Sequence, residues 1–163
     1  MPTLVAIYAS TSGHTEFVVD TLQSELKKNL PELTVEKIRA ERAKPEDFSR
    51  ANILLLGSGT WNVGGAEGQL NPHMQECLKT AKDVDLNAKP TALLSLGDDR
   101  YHFTARATEH LQRFLVDHKG KLLLPPLVVV GEPYDQTERI ERWGEKFTES
   151  IRSQKEWATW LSK

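Results

Sequence analysis

The residues best equipped for chemistry stand near the start of the chain, in Ser10-Thr11-Ser12-Gly13-His14-Thr15. They follow an apolar run, Leu4 to Ala9, and precede an amphipathic run from Glu16 onward. That order describes a strand, a tight hydroxyl-rich loop and the first turn of a helix. A helix N-terminus presents unpaired N–H groups and a partial positive charge, so it favours an anion. Ser10, Thr11, Ser12 and Thr15 add hydroxyl donors, and the loop holds no Lys or Arg. A P-loop would need Gly-Lys-Ser/Thr to reach the outer phosphates of a nucleotide, so nucleotide hydrolysis is disfavoured. The loop suits a phosphate that is retained rather than transferred. A plain strand-to-helix turn, rich in Ser and Thr because they cap helices, would look the same in isolation.

Two further loops carry glycines and an aromatic residue. They are Gly57-Ser58-Gly59-Thr60-Trp61-Asn62-Val63-Gly64-Gly65 and Gly97-Asp98-Asp99-Arg100-Tyr101. The elements that position these loops follow from periodicity. Thr3–Ala9, Ala51–Gly57 and Pro90–Leu96 are apolar at nearly every position, as in parallel strands covered on both faces. Leu33–Ile38 alternates weakly, and Lys121–Val130 is interrupted by Pro125-Pro126, so both belong at sheet edges. Helical spacing is expected over about Gly13–Asn29, in a segment opened by Asn71-Pro72, over Phe103–Lys119, and in a final helix with Ile140, Trp143, Phe147 and Ile151 inward. Ala40–Arg50 reads as a loop with at most one helical turn. Gly120 is placed as a C-terminal cap, and Asp135 with Glu138 as a capping box. The tail residues Trp157, Trp160 and Leu161 form either a short packing segment or a small apolar patch for a partner.

Five strands alternating with helices imply an α/β fold with a doubly wound parallel sheet and helices on both faces. Such sheets bind ligands beyond the carboxyl ends of the strands, where the strand order switches. All three loops fall at that end. Residues 1–153 are expected to form this domain, and 154–163 a short extension of it. The 163 residues, net charge of −2 and 27% charged residues are those of an ordinary globular domain, without a basic arm for nucleic acid. Cys77, the single cysteine, allows no intramolecular disulfide and sits in a packing stripe with Met74 and Ala81. No leader-like start or membrane-length apolar run is seen, so a cytoplasmic protein is expected.

With the three loops in order, the chain resembles the flavodoxins, small carriers of flavin mononucleotide (FMN). Ser10 to Thr15 matches their phosphate loop, Thr60-Trp61-Asn62-Val63-Gly64 their second loop, and Gly97 to Tyr101 their third. The resemblance implies a flavodoxin-like five-stranded sheet of order 2-1-3-4-5. The short-chain form is implied, since the fifth strand holds only Pro125-Pro126 where long-chain members carry an insertion. It implies FMN contacts from Ser10, Thr11, Ser12, Gly13, His14 and Thr15, from Gly59, Thr60, Trp61, Asn62, Val63 and Gly64, and from Leu96, Gly97, Asp98, Tyr101 and Phe103. Trp61 would cover the inner face of the isoalloxazine and Tyr101 the outer. The Trp61–Asn62 peptide would flip to meet flavin N5–H and stabilise the semiquinone. Asp98 would meet the pyrimidine edge, while Asp99 and Glu67 would add negative charge. No metal site is implied. His14 either sits in solvent or pairs with the phosphate when protonated.

The function so implied is a monomeric, low-potential electron carrier. It cycles FMN between semiquinone and hydroquinone, taking electrons from a reductase and passing them to acceptor enzymes. The near-neutral charge, with Arg100, His102 and His14 close by, implies a less negative second potential and weaker docking to basic partners. The alternative is an FMN-dependent NAD(P)H:quinone oxidoreductase, which needs room for a substrate over the flavin. A signalling receiver of the same topology would need acidic residues where Ala9-Ser10 and Gly57-Ser58 stand.

Overall fold

The computed structural model describes residues 1–98 and 105–163. The elements run β1 (Thr3–Tyr8), α1 (His14–Asn29), β2 (Thr34–Arg39), α2 (Pro45–Arg50), β3 (Ile53–Val63), β4 (Ala66–Leu70), α3 (Pro72–Thr80), β5 (Pro90–Gly97), α4 (Ala107–Asp117), β6 (Lys121–Leu122), β7 (Leu127–Val130), α5 (Thr137–Arg152) and α6 (Trp157–Leu161). The sheet order is β2-β1-β3-β5-β6, with β7 also on β5 and β4 on β3. Apart from the β3–β4 pair the described ladders are parallel. This is the expected order, with the edge-like strands at the edges.

Period-two alternation feeds two cores. Leu4, Ala6 and Tyr8 of β1 face one side, with Val18, Leu22 and Leu26 of α1 and Ile140, Phe147 and Ile151 of α5. Val5, Ile7 and Ala9 face the other, with Phe48, Met74, Cys77, Leu111 and Phe114. Each Val, Leu, Ile, Phe or Met among them, fully buried, contributes about 1.5–3 kcal/mol. Helices α1 and α5 approach closely because Gly144 has no side chain: a Cβ there would stand 3.2 Å from Glu25 Cβ. Trp157 and Trp160 of α6 are half-buried and pack against the first core.

Several expectations need correction. The sheet has seven strands rather than five, partly because the fifth divides. Leu122 pairs with Thr91 and Leu127 with Leu94, so residues 123–126 stand opposite only Ala92 and Leu93. Pro125 and Pro126 have no N–H for a ladder and occupy that excursion. The rest of the difference is β4. Gly57 to Val63 is not a loop but the continuation of β3: Gly57–Gly59 pair with Leu94–Leu96, and Thr60 and Trp61 pair antiparallel with Leu70 and Gln69. Gly64 (φ 58°) and Gly65 (φ 82°) make the turn, both in the left-handed region that a two-residue hairpin requires.

Residues 40–50 are more ordered than a loop. A 3₁₀ turn spans Ala40–Arg42, and Pro45 opens α2, whose Asp47 carboxylate accepts the Lys44 N–H at 2.8 Å and whose Phe48 is buried. At the end of α4 the left-handed residue is Lys119 (φ 60°), one position before the expected Gly120. Gly120 N–H donates to Leu115 O at 2.8 Å and Lys119 N–H to Val116 O at 3.2 Å, a Schellman closure. The glycine is needed for space, since a Cβ would lie 2.1 Å from Leu115 Cδ1. Ala105 and Arg106 form a turn and α4 begins at Ala107, so of the expected start at Phe103 the described part is not helical. The Asp135–Glu138 capping box does not form. Pro133–Gln136 is a 3₁₀ turn running directly into α5, and Gln136 makes no side-chain cap.

Candidate functional site

The parallel strands β1, β3, β5 and β7 deliver their carboxyl ends to one cleft of about 780 Å³. Of the residues singled out in the sequence, Thr11, Ser12, His14, Thr15, Gly59, Thr60, Trp61, Asn62, Leu96, Gly97 and Asp98 line it. Ser10 and Gly13 stand behind the lining. Ser10 Oγ accepts the Glu16 N–H at 3.2 Å, and Gly13 caps α1 at φ 91° with nothing within 4 Å of an added Cβ. Val63 and Gly64 lie outward, exposed toward the hairpin turn. Tyr101 and Phe103 lie outside the described residues, as do Asp99, Arg100 and His102.

The first loop is built to donate hydrogen bonds that it does not make internally. Phe17 N–H starts the helical ladder on Gly13 O at 3.0 Å, and Ser10 Oγ takes the Glu16 amide. The amides of Thr11, Ser12, Gly13, His14 and Thr15 have no protein acceptor among the described residues. Thr15 is 4% exposed, lines the cleft, and its hydroxyl likewise has no protein partner among the described residues. A buried hydroxyl without a partner costs stability, so such groups mark a place for a ligand. No lysine or arginine lines the cleft among the described residues.

Asn71, a helix cap by its sequence, does more in the structure. It is buried, its Oδ1 accepts His73 N–H at 2.9 Å, and its Nδ2 donates to Thr11 Oγ1 at 3.0 Å. The cap of α3 therefore orients a hydroxyl in a loop 60 residues away. Thr60 also has a second duty, since its Oγ1 accepts the Ala107 N–H at 3.1 Å and so satisfies the start of α4. Asn62 stands where the β3–β4 register shifts between Trp61 and Val63, facing the extra residue that β4 carries at Glu67-Gly68. Its φ is not in the left-handed region. Trp61 is half-buried and its Nε1 is the first atom an added Cβ at Gly59 would meet, at 3.2 Å.

Gly131 and Glu132, after β7, complete the lining and were missed. The rule that pointed to the other strand ends applied equally to this one. His14 is half-buried at the cleft. Its Nε2 is 3.5 Å from Glu132 Oε2, an ion pair when the ring is protonated, and its ring meets the edge of Tyr134 at 5.5 Å. Cys77 lies outside the site, and burial pushes its thiol up to about 12, which leaves it an inert packing residue.

This geometry agrees with the comparisons of sequence and structure. A sequence model of the family described as Flavodoxin matches residues 6–143. The chain belongs to the flavodoxin family. It is 24% identical over 151 residues to "Probable flavodoxin 2" of Bacillus subtilis (strain 168), covering 90% of this chain and 95% of that one. It is 31% identical over 91 residues to "Flavodoxin 1" of Escherichia coli (strain K12), covering 56% of this chain and 47% of that relative. Among solved structures, oxidised Flavodoxin 1 from Bacillus cereus shares the fold with a TM-score of 0.80 at 23% identity, over 90% of this chain and 97% of that one. A short-chain flavodoxin associated with a PDU bacterial microcompartment does so with 0.79 at 20% identity, over 92% and 99%. Flavodoxin itself obeys the switch-point rule, so the cleft's position follows from membership. Membership supports an FMN flavoprotein of electron transport rather than a classical enzyme. Among the described residues, no helix is long and apolar enough to cross a membrane.

Proposed function

We propose that this flavodoxin is an FMN-dependent electron carrier working between a reductase and acceptor enzymes. The observation that carries the reading is the run of unpartnered amides from Thr11 to Thr15 around the buried, unpartnered Thr15 hydroxyl. These donors would hold the FMN phosphate, with Thr11 oriented by Asn71 and with the ring system toward Trp61, Asn62, Gly97 and Asp98. When bound, FMN supplies one-electron chemistry between its singly and doubly reduced states. The chain's own residues retain and orient it. The Trp61–Asn62 peptide, where the β3–β4 register shifts, would flip to present its carbonyl as an acceptor in place of a donor. Glu132 and Asp98 add carboxylates at the cleft, which disfavour an anionic reduced ring and lower the potential of the second electron. The reading includes a monomeric, cytoplasmic carrier that meets its partners transiently.

Titration of apo-protein with FMN, followed by anaerobic reduction in an absorbance cell, tests this. Stoichiometric uptake and two separable one-electron steps support the carrier. A protein that takes up no FMN overturns it. Rapid NADPH-driven quinone reduction without an added reductase would replace it with the oxidoreductase reading.

A further inference from the structure

The acid in the first turn of α1 poses an electrostatic problem. Glu16 sits three residues past the Gly13 cap, in the turn whose amides face the cleft. A carboxylate there suits the helix dipole but repels a phosphate bound at the same terminus. The structure compensates it from behind. Tyr8 Oη donates to Glu16 Oε2 at 2.6 Å, Arg39 Nη2 donates to Oε1 at 3.1 Å, and Lys37 Nζ stands 3.7 Å from Oε2. Lys37 is drawn away by Asp20 at 2.6 Å.

Arg39 does a second thing. Its Nη1 donates to the Ser10 carbonyl oxygen at 2.9 Å, so one planar guanidinium ties the loop backbone to the helix acid. It also lies 5.6 Å from the centroid of the buried Tyr8 ring. The Tyr8 hydroxyl is held protonated by burial and by Glu16, so it remains a donor. The Glu16 carboxyl is held below its ordinary range, first by the Tyr8 hydrogen bond.

We propose that Arg39, on the edge strand β2, is a positioning residue for the anion loop. It fixes the Ser10 carbonyl and offsets the Glu16 charge, so that the amides from Thr11 to Thr15 present a net positive field. It supplies from outside the cleft the cation that the loop itself lacks. The inference rests on the reading that the cleft holds the phosphate of FMN.

The test compares FMN with riboflavin, which has the same ring and no phosphate. Both are titrated into apo-protein for the wild type, R39Q, R39K and the double variant R39Q/E16Q. Removing one cation from behind the loop predicts an FMN affinity about tenfold weaker in R39Q. Riboflavin affinity should be unchanged, R39K should be intermediate, and R39Q/E16Q should regain most of the loss. Equal weakening of both ligands, an unchanged FMN affinity, or no recovery on removing Glu16 overturns the proposal. If R39Q does not fold, R39K carries the test: it keeps the charge but not the two-acceptor fork, and a loss shared with riboflavin is the overturning result. A wild type that takes no FMN refutes the functional reading instead, which keeps the two failures distinct.

Discussion

Replacing Thr15 by Val separates a ligand-binding role from a structural one, because the two predict opposite signs. Thr15 is 4% exposed and both residues are β-branched, so shape and helical rotamer are nearly kept. Its hydroxyl has no protein partner among the described residues, so the apo-protein loses no internal hydrogen bond. It gains relief from a buried, poorly satisfied polar group, and the unfolding free energy should stay constant or rise by about 1 kcal/mol. Binding should move the other way. A hydrogen bond to a charged group is worth about 1.5–3 kcal/mol, so FMN affinity should fall roughly 10- to 150-fold. Riboflavin affinity should be unaffected. Urea unfolding of the apo-protein gives the first number, and quenching of flavin fluorescence on binding gives the second. A Thr15→Val protein that unfolds more easily, or that binds FMN as the wild type does, would falsify the assignment of this hydroxyl to the phosphate.

Other outcomes follow from particular contacts. Gly120→Ala should cost about 1–3 kcal/mol by overpacking Leu115, whereas Lys119→Gly should gain about 1 kcal/mol by relieving a left-handed residue; urea midpoints moving the other way would refute the Schellman assignment. Asn71→Ala removes the α3 cap and the donor to Thr11, so it should cost about 1–2 kcal/mol and also weaken FMN binding; a stability loss with unchanged FMN affinity would confine Asn71 to capping. The carboxyl of Glu16 is lower in the folded than in the unfolded state, so its contribution is fully present above the unfolded value and is lost as pH falls through the folded one. The stability difference between wild type and Glu16→Gln should therefore be flat near neutrality and shrink below the ordinary value of 4.5; a difference that grows on acidification contradicts the Tyr8–Glu16 hydrogen bond.

Where the structure departs from the sequence reading, a distant packing partner decides. Gly57 and Gly59 read as loop, yet they pair with β5, and Gly57 is required because a Cβ would lie 2.9 Å from Leu94 Cδ1. Gly64-Gly65 between two short runs was a hairpin signal in plain sight, masked by the polar Ser58, Thr60 and Asn62 around it. Asp135 and Glu138 have the spacing of a capping box, but Pro133 opens a 3₁₀ turn that leads into α5 without one. The joint lining of the cleft was largely legible, since the carboxyl ends of parallel strands must lie together.

The sequence by itself determined the alternation of apolar strands and amphipathic helices, the edge strands, and the anion-receptive character of Ser10 to Thr15. These are local properties: period, composition and the free amides of a helix start. Only the tertiary structure decided how that loop is held. Asn71 reaches Thr11 across 60 residues, Arg39 reaches Ser10 across 29, and Glu132 arrives beside His14 from the far end of the chain. No periodicity encodes such contacts, because each depends on strand order and on the depth at which two elements pack. The loop's types and spacing made it a place for a phosphate; its neighbours in space set the charge that the phosphate meets.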